Sequence, residues 1–301
     1  MVTKLEHILP LVMSKGKKKR LVVAYANDLH TIEAVYKAVS IGIVEATLLG
    51  DFETIKNICI ENNIDYWAFS HIQQENDAKC VSMAIDMINM GKADILMKGL
   101  VTSDKYLRGI LKKDGGLMGE RGILSHVTVL EVASLNKLLV VSDVAVLPSP
   151  DINQKVAITN YVIETAHALG METPKVAMIA PSEQVLPKLD SSADAAIIAK
   201  MCDRGQIKGA VIDGPLALDV AIDAESAKIK KVTSSVAGDA DCLVFPNIES
   251  ANVFFKTCTK LLRTPLAAIV VGTKAPCVLT SRGDTMQSKL YSIALAALAA
   301  K

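Results

Sequence analysis

Aromatic residues are scarce in this 301-residue chain: one Trp, six Tyr and five Phe make up 4%. No Lys/Arg stripe with interleaved rings is present. The net charge of +1, from 33 basic and 32 acidic residues, supplies no global field, so nucleic acid is not expected as a partner. The six cysteines (Cys59, Cys80, Cys202, Cys242, Cys258 and Cys277) contain no Cys-x-x-Cys pair, and no His stands at zinc spacing. That pattern excludes a zinc motif and fits a reducing, cytoplasmic setting. Cys59 and Cys242 lie in apolar runs and read as small core residues. No N-terminal signal and no apolar stretch of about 18 residues is found, so no membrane span is expected. The Ala-rich tail Ile293–Ala300 is too short to cross a bilayer. A Gly-x-Ser-x-Gly elbow is lacking, as is a Gly-x-Gly-x-x-Gly after the first strand. These absences argue against a Ser-His-Asp hydrolase and a dinucleotide fingerprint.

Apolar residues make up half the chain. Val, Ile, Leu and Ala fill the core, as expected where a parallel sheet is buried on both faces. The first block alternates strand and helix. Leu5–Ser14 is a short amphipathic helix, Arg20–Ala26 a strand, Thr31–Ser40 a helix and Gly42–Leu49 a strand. Phe52–Asn62 reads as a helix, Asp65–Phe69 as a short strand, Glu75–Met90 as a long helix and Ala93–Met97 as a buried strand. This rhythm predicts an open parallel sheet covered on both faces, with ligands beyond the carboxyl ends of its strands. In the second block, strands are expected over Ser125–Ala133, Lys137–Ser142, Lys175–Ile179, Gly209–Ile212, Cys242–Phe245 and Leu266–Val271. Helices are expected over Asn153–Leu169, Ala193–Met201 and Glu249–Leu262.

The stretch that organises the chain is Pro276–Leu290. An apolar run, Cys277 to Leu279, reads as a buried strand. The polar turn Thr280-Ser281-Arg282-Gly283-Asp284 follows, and a helix continues through Met286, Leu290 and Ile293. Asp284 or Thr280 is expected to cap that helix. Such a corner aims backbone N–H groups, a hydroxyl and a guanidinium at one spot, which suits phosphate. It also suits a loop whose Arg pairs with a surface carboxylate. At another strand exit, Lys98-Gly99-Leu-Val-Thr102-Ser103 offers a Gly and two hydroxyls, with Thr102 or Ser103 as a helix cap. Thr102, Lys105 and Arg108–Gly109 are expected on one helix face, which a solvated surface would equally explain. The Gly-rich Lys112–Gly122 reads as a mobile loop or domain crossover, and Lys15–Arg20 as a solvated helix end. His126, at the start of a strand, reads as structural. Asp239-Ala-Asp241 is either a metal-ligating pair or a cap and turn.

Taken in order, five motifs resemble the phosphate acetyl/butyryltransferase family, and more closely its butyryltransferase branch. They are Lys98-Gly99-Leu-Val-Thr102 with Arg108, Asp213-Gly214-Pro215-x3-Asp219, Ser235-Val-Ala-Gly238-x-Ala-Asp241, Pro246-Asn247-Ile248-Glu249-x2-Asn252, and Thr280-Ser281-Arg282-Gly-Asp284-x4-Lys289-Leu. The resemblance spans essentially the whole chain. It implies an α/β fold of two three-layer αβα domains, similar to isocitrate and isopropylmalate dehydrogenases, with the active site in the cleft between them. The expected domains are 1–118 plus 276–301, and 119–275, the second serving dimerisation. The implied reaction is butyryl-CoA, or another short-chain acyl-CoA, plus phosphate giving acyl phosphate and CoA.

On this resemblance Ser281, Arg282 and Asp284 are the catalytic candidates. Arg108, Lys98, Thr102 and Ser103 are candidates for phosphate or substrate binding, and Ser288, Lys289, Asn247 and Asn252 for CoA binding. No metal and no tightly bound cofactor is expected; coenzyme A enters as the thioester substrate. A homodimer or larger homo-oligomer and functional coupling to an acyl kinase are implied. Acetyl-branch relatives carry an acidic base seven residues after the Ser, where this chain has Ser288, so Asp284 stands only as a candidate base. Phosphate acetyltransferase activity and a non-catalytic CoA or acyl-phosphate sensor are the alternative expectations. A metal- and NAD-dependent dehydrogenase of the same fold would need a carboxylate cluster and a cofactor loop, and the sequence offers neither.

Overall fold

In the computed structural model, residues 2–119, 122–280 and 283–301 are described. The chain divides into two compact units. One comprises Leu5–Leu124 with Leu266–Lys301, and the other Ser125–Pro265 with the N-terminal residues through Lys4. The sequence expectation had put 119–275 in the second domain. Leu266–Val271 instead belongs to the first unit, where its Val270 pairs with Cys277.

The first unit runs α1 (Ile8–Ser14), β1 (Lys19–Ala24), α2 (Leu29–Ser40), β2 (Val44–Gly50), α3 (Phe52–Glu61), β3 (Ser70–Gln73), α4 (Asp77–Asn89), β4 (Ile95–Lys98) and α5 (Ser103–Leu111). The second carries β5 (Ser125–Leu130), β6 (Leu139–Ser142), α6 (Ile152–Ala168), β7 (Lys175–Ile179), α7 (Asp190–Asp203), β8 (Val211–Leu216), α8 (Leu218–Ile222), α9 (Ala224–Ile229), β9 (Cys242–Val244) and α10 (Ile248–Lys256). The chain then returns to the first unit as β10 (Leu266–Val271), β11 (Cys277–Val278) and α11 (Met286–Ala299).

The first unit's strands lie in the order β3-β2-β1-β4-β11-β10. Five are parallel, and β10 runs antiparallel to β11. Leu21–Ala24 of β1 and all four residues of β4 are buried, which requires cover on both faces. Helix α11 packs against α1 and α2, and α4 against α5, with helices on both sides of the sheet. The second unit orders β5-β6-β9-β7-β8, parallel except for β5 against β6. The strands of each unit are therefore mixed rather than wholly parallel, with one antiparallel pairing in each.

One local reading is corrected, and of the two alternatives for Lys112–Gly122 the domain crossover agrees with the passage into the second unit at Ser125. Asp65–Phe69 is not a strand. The Asp65 carboxylate accepts the Trp67 N–H at 2.9 Å, which closes a 3-10 turn over Tyr66–Ala68, and β3 begins only at Ser70. The described part of Lys112–Gly122 is held against β10's exit. Met118 bridges Thr273, the Gly119 N–H reaches the Gly272 carbonyl at 3.0 Å, and the Lys274 N–H reaches the Leu117 carbonyl at 2.8 Å.

Candidate functional site

Within the first unit, three neighbouring parallel strands, β1, β4 and β11, end on the same edge of the sheet. Chain leaving a strand end must satisfy its backbone groups locally. Here the exits do so with each other. The Gly99 N–H donates to the Ala24 carbonyl at 3.0 Å and the Leu100 N–H to the Tyr25 carbonyl at 2.7 Å. Tyr25 sits in the left-handed region, φ 64°. Gly99 is required by this closeness, because a Cβ there would lie 2.1 Å from the Tyr25 carbonyl oxygen. On the other side of β1, the Asn27 side chain accepts the Asp51 N–H at 3.1 Å.

Two lysines are buried at this edge. Lys98, 4% exposed, ends β4 and donates from Nζ to the carbonyls of Gly99 and Val101, both at 3.1 Å. Lys289, also 4% exposed, stands in the first turn of α11 and donates to Thr280 Oγ1 at 3.1 Å. Burial pulls the Lys289 ammonium below the usual lysine range, while the carboxylates of Asp28 and Asp284 act in the opposite direction. Asp28 caps α2 through the Thr31 N–H at 2.9 Å. Thr280, Asp284, Lys289 and Asp28 are thus gathered at the exits of β11 and β1.

The cap of α11 is neither Asp284 nor Thr280. Thr285, directly before the first helical residue, accepts the Ser288 N–H at 3.1 Å, the geometry an N-cap hydroxyl requires. Ser288 is therefore tied into the helix start, and its hydroxyl also meets that of Thr285 at 3.1 Å. Ser281 and Arg282 lie outside the described residues.

Thr102 caps α5 through the Lys105 N–H, and Ser103 opens that helix, both exposed. The single face expected for Thr102, Lys105 and Arg108–Gly109 is divided. Lys105 reaches Asp77 of α4 at 2.8 Å, and Gly109 packs so tightly on α4 that a Cβ would meet Val81 Cγ1 at 2.6 Å. Arg108 pairs instead with Asp104 at 2.9 Å, its side chain 79% exposed. Such an exposed pair is worth about 0–1 kcal/mol, so an anion can displace it.

Asn247 and Asn252 belong to the second unit and have local tasks. Asn247 caps α10 through the Ser250 N–H at 3.0 Å, and Asn252 Nδ2 donates to the Val144 carbonyl at 2.9 Å. Asp239 and Asp241 are taken up by lysines: Lys137 reaches both, at 2.6 and 2.8 Å, and Lys175 reaches Asp239 at 2.6 Å. Hydrogen bonds from these lysines hold the Asp239 carboxylate below its usual range. Among the described residues no group of three His, Cys, Asp or Glu could hold a metal ion. Asp219 is paired with Lys230 at 2.9 Å. Cys277 is buried in β11, and burial pushes its thiol up to about 12, so it is not a ready nucleophile. Behind it, the buried Tyr106 hydroxyl lies 3.1 Å from the Leu96 carbonyl and 3.3 Å from that of Val278, joining α5 to β4 and β11.

Sequence reasoning missed Asp28 and Tyr25, and it named Lys289 for CoA binding without foreseeing its burial. A signal for its burial was present: Lys289, Ile293 and Ala296 fall on one helical stripe whose other members are apolar.

Comparison with known proteins adds the remaining evidence. The family model described as phosphate acetyl/butaryl transferase matches residues 71–297. A phosphate butyryltransferase of Clostridium acetobutylicum is 44% identical over 300 residues, covering 100% of this chain and 99% of the relative. A phosphate acetyltransferase of Thermotoga maritima is 40% identical over 286 residues, covering 95% and 97%. Among solved structures, a branched-chain phosphotransacylase from Enterococcus faecalis superposes with a TM-score of 0.80 at 27% identity, covering 94% of this chain and 100% of that one. With a family match over most of its length and curated relatives this similar from end to end, the chain belongs to the phosphate acetyl/butaryl transferase family.

Proposed function

We propose that the protein is a phosphate acyltransferase that converts a short-chain acyl-CoA, butyryl-CoA foremost, and phosphate into acyl phosphate and CoA. End-to-end similarity to the Clostridium acetobutylicum phosphate butyryltransferase carries this reading. The chemistry asks for three things: phosphate held beside a thioester carbonyl, donors for the tetrahedral oxyanion, and an acceptor for the thiol proton in the reverse direction. Arg282 and Arg108 are assigned to phosphate, with Lys98, Thr102 and Ser103 at the neighbouring strand exit. Ser281 and the backbone of the turn before Thr285 are assigned to the oxyanion. Asp284, half-buried at that turn, is the acidic group available as a base. The transfer is direct, in a ternary complex, with no acyl-enzyme at Cys277; the raised pKa and burial of that thiol favour this course.

The decisive assay is phosphate-dependent release of CoA thiol from butyryl-CoA. Release is expected in the wild type and lost in Arg282→Ala; no release with any short acyl-CoA overturns the reading. Similarity to the Thermotoga maritima phosphate acetyltransferase makes acetyl-CoA the competing substrate. A kcat/KM panel over acetyl-, propionyl- and butyryl-CoA decides, each methylene in an apolar pocket being worth about 1–3 kcal/mol. Cytoplasmic location, a homodimeric or larger assembly and an acyl kinase as consumer of the product complete the proposal. Among the described residues no helix is long and apolar enough to cross a membrane.

A further inference from the structure

We propose that Lys289 is a positioning residue for this reaction rather than a contact for CoA: its buried Nζ fixes Thr280 at the exit of β11 against the start of α11. The inference rests on the functional reading above for its kinetic consequence, but not for its geometry.

Lys289 occupies a place that disfavours a cation twice. It is 4% exposed, and it lies in the first turn of a helix, where the backbone dipole is already positive. A methionine would fill the same apolar stripe, beside Leu290 and Ile293, without either penalty. What the ammonium gains there is a bond to Thr280 Oγ1 at 3.1 Å, with Thr280 itself 2% exposed. It also gains attraction from two carboxylates on different segments, Asp28 and Asp284. Asp28 is fixed in turn by capping α2, and Lys289 N–H is fixed to the Thr285 carbonyl at 3.1 Å. One side chain therefore links the exit of β11 to the start of α11, with the Asp28 carboxylate of the β1–α2 loop favouring its charge.

Thr280 directly precedes Ser281 and Arg282 in the chain, so its placement sets where the catalytic pair begins. Losing the clamp should misplace reacting groups, not weaken the grip on the substrate. A side chain so enclosed has little surface to offer a large thioester.

The test compares Lys289→Met, Lys289→Arg and Thr280→Val with the wild type. Lys289→Met is expected to lower kcat by roughly 10–100-fold while KM for acyl-CoA changes by less than about twofold. Thr280→Val should fall in the same direction, Lys289→Arg should recover part of the loss, and the double Met/Val variant should be no worse than Lys289→Met alone. A raised KM with kcat intact would return Lys289 to CoA contact and overturn the inference; so would unchanged kinetics in Thr280→Val. Should Lys289→Met fail to fold, Thr280→Val, which removes only the acceptor, carries the test alone. If the wild type acts on no acyl-CoA, the functional reading fails, yet amide hydrogen exchange still judges the clamp. Exchange at Thr280 and Asp284 is expected to quicken in Thr280→Val, and unchanged exchange there overturns it.

Discussion

In the second unit, Lys137 and Lys175 meet Asp239 and Asp241 at the amino ends of β6, β7 and β9, beside a cavity of about 540 Å³. In the first, Lys98 and Lys289 stand at carboxyl ends of strands, donating to carbonyls and a hydroxyl at full burial. The same residue type thus serves two purposes. Where lysine and carboxylate are matched, the charges cancel and act as a strut between strand starts, from the enclosed Lys137–Asp241 pair out to the exposed Asp239. Where lysine is buried and its hydrogen bonds go to carbonyls or a hydroxyl, the cationic form is costly and depends on the placement of each acceptor, even with the carboxylates of Asp28 and Asp284 acting on Lys289. Ligands of α/β sheets gather at carboxyl ends, and it is there that this chain spends charge in an expensive setting.

The sharpest way to break the contrast is Lys98→Glu. It would aim a buried carboxylate at the Gly99 and Val101 carbonyls, and a loss of about 3–5 kcal/mol is expected in urea unfolding of the first unit. Next comes Gly99→Ala, whose added carbon must move the Tyr25 carbonyl. An expected cost of about 1–3 kcal/mol should appear in the same titration. In the second unit, Asp239→Asn should cost no more than about 1 kcal/mol, and the difference should shrink as salt is raised, because Asp239 is largely exposed. The smallest effect is a slope. Lys289 has its pKa lowered from 10.5 in the folded chain, so the unfolded chain binds the extra proton between the folded value and 10.5. Folded stability attributable to this residue therefore rises with pH across that window, and wild type should gain on Lys289→Met in alkaline urea melts. A flat difference would place Lys289 in a solvent-like setting.

Much of this architecture was readable from hydrophobic runs. Lys175–Ile179 and Leu266–Val271 have the bounds the residues imply, because each is a short apolar run with a sharp polar or Pro border. The strand expected at Asp65–Phe69 failed because aromatic content outweighed the turn chemistry of Asp65. The five-residue α8 and six-residue α9 were passed over, being too short for a helical period to show. Pairing direction was hidden as well: nothing local in Leu266–Val271 says that it runs against β11. At the site, the strand-exit position of Lys98-Gly99 and of Thr280 was legible from apolar run followed by polar turn. The partners were not. Gly99 with Tyr25 is a contact set by strand order, a long-range property that no local window contains. Lys289 with Thr280 lies within nine residues, but it depends on how the turn between them folds. The cap of α11 was misassigned by a single residue, since Thr280, Asp284 and Thr285 all have capping side chains and only the helix register chooses among them.

The close approach of Gly99 to Tyr25 has a dynamic corollary. The Leu100 amide is locked onto a carbonyl of a different strand's exit, so it can meet solvent only when both exits part. Opening at β4 must accompany opening at β1, and the edge that carries the proposed chemistry should breathe as a single unit or stay shut.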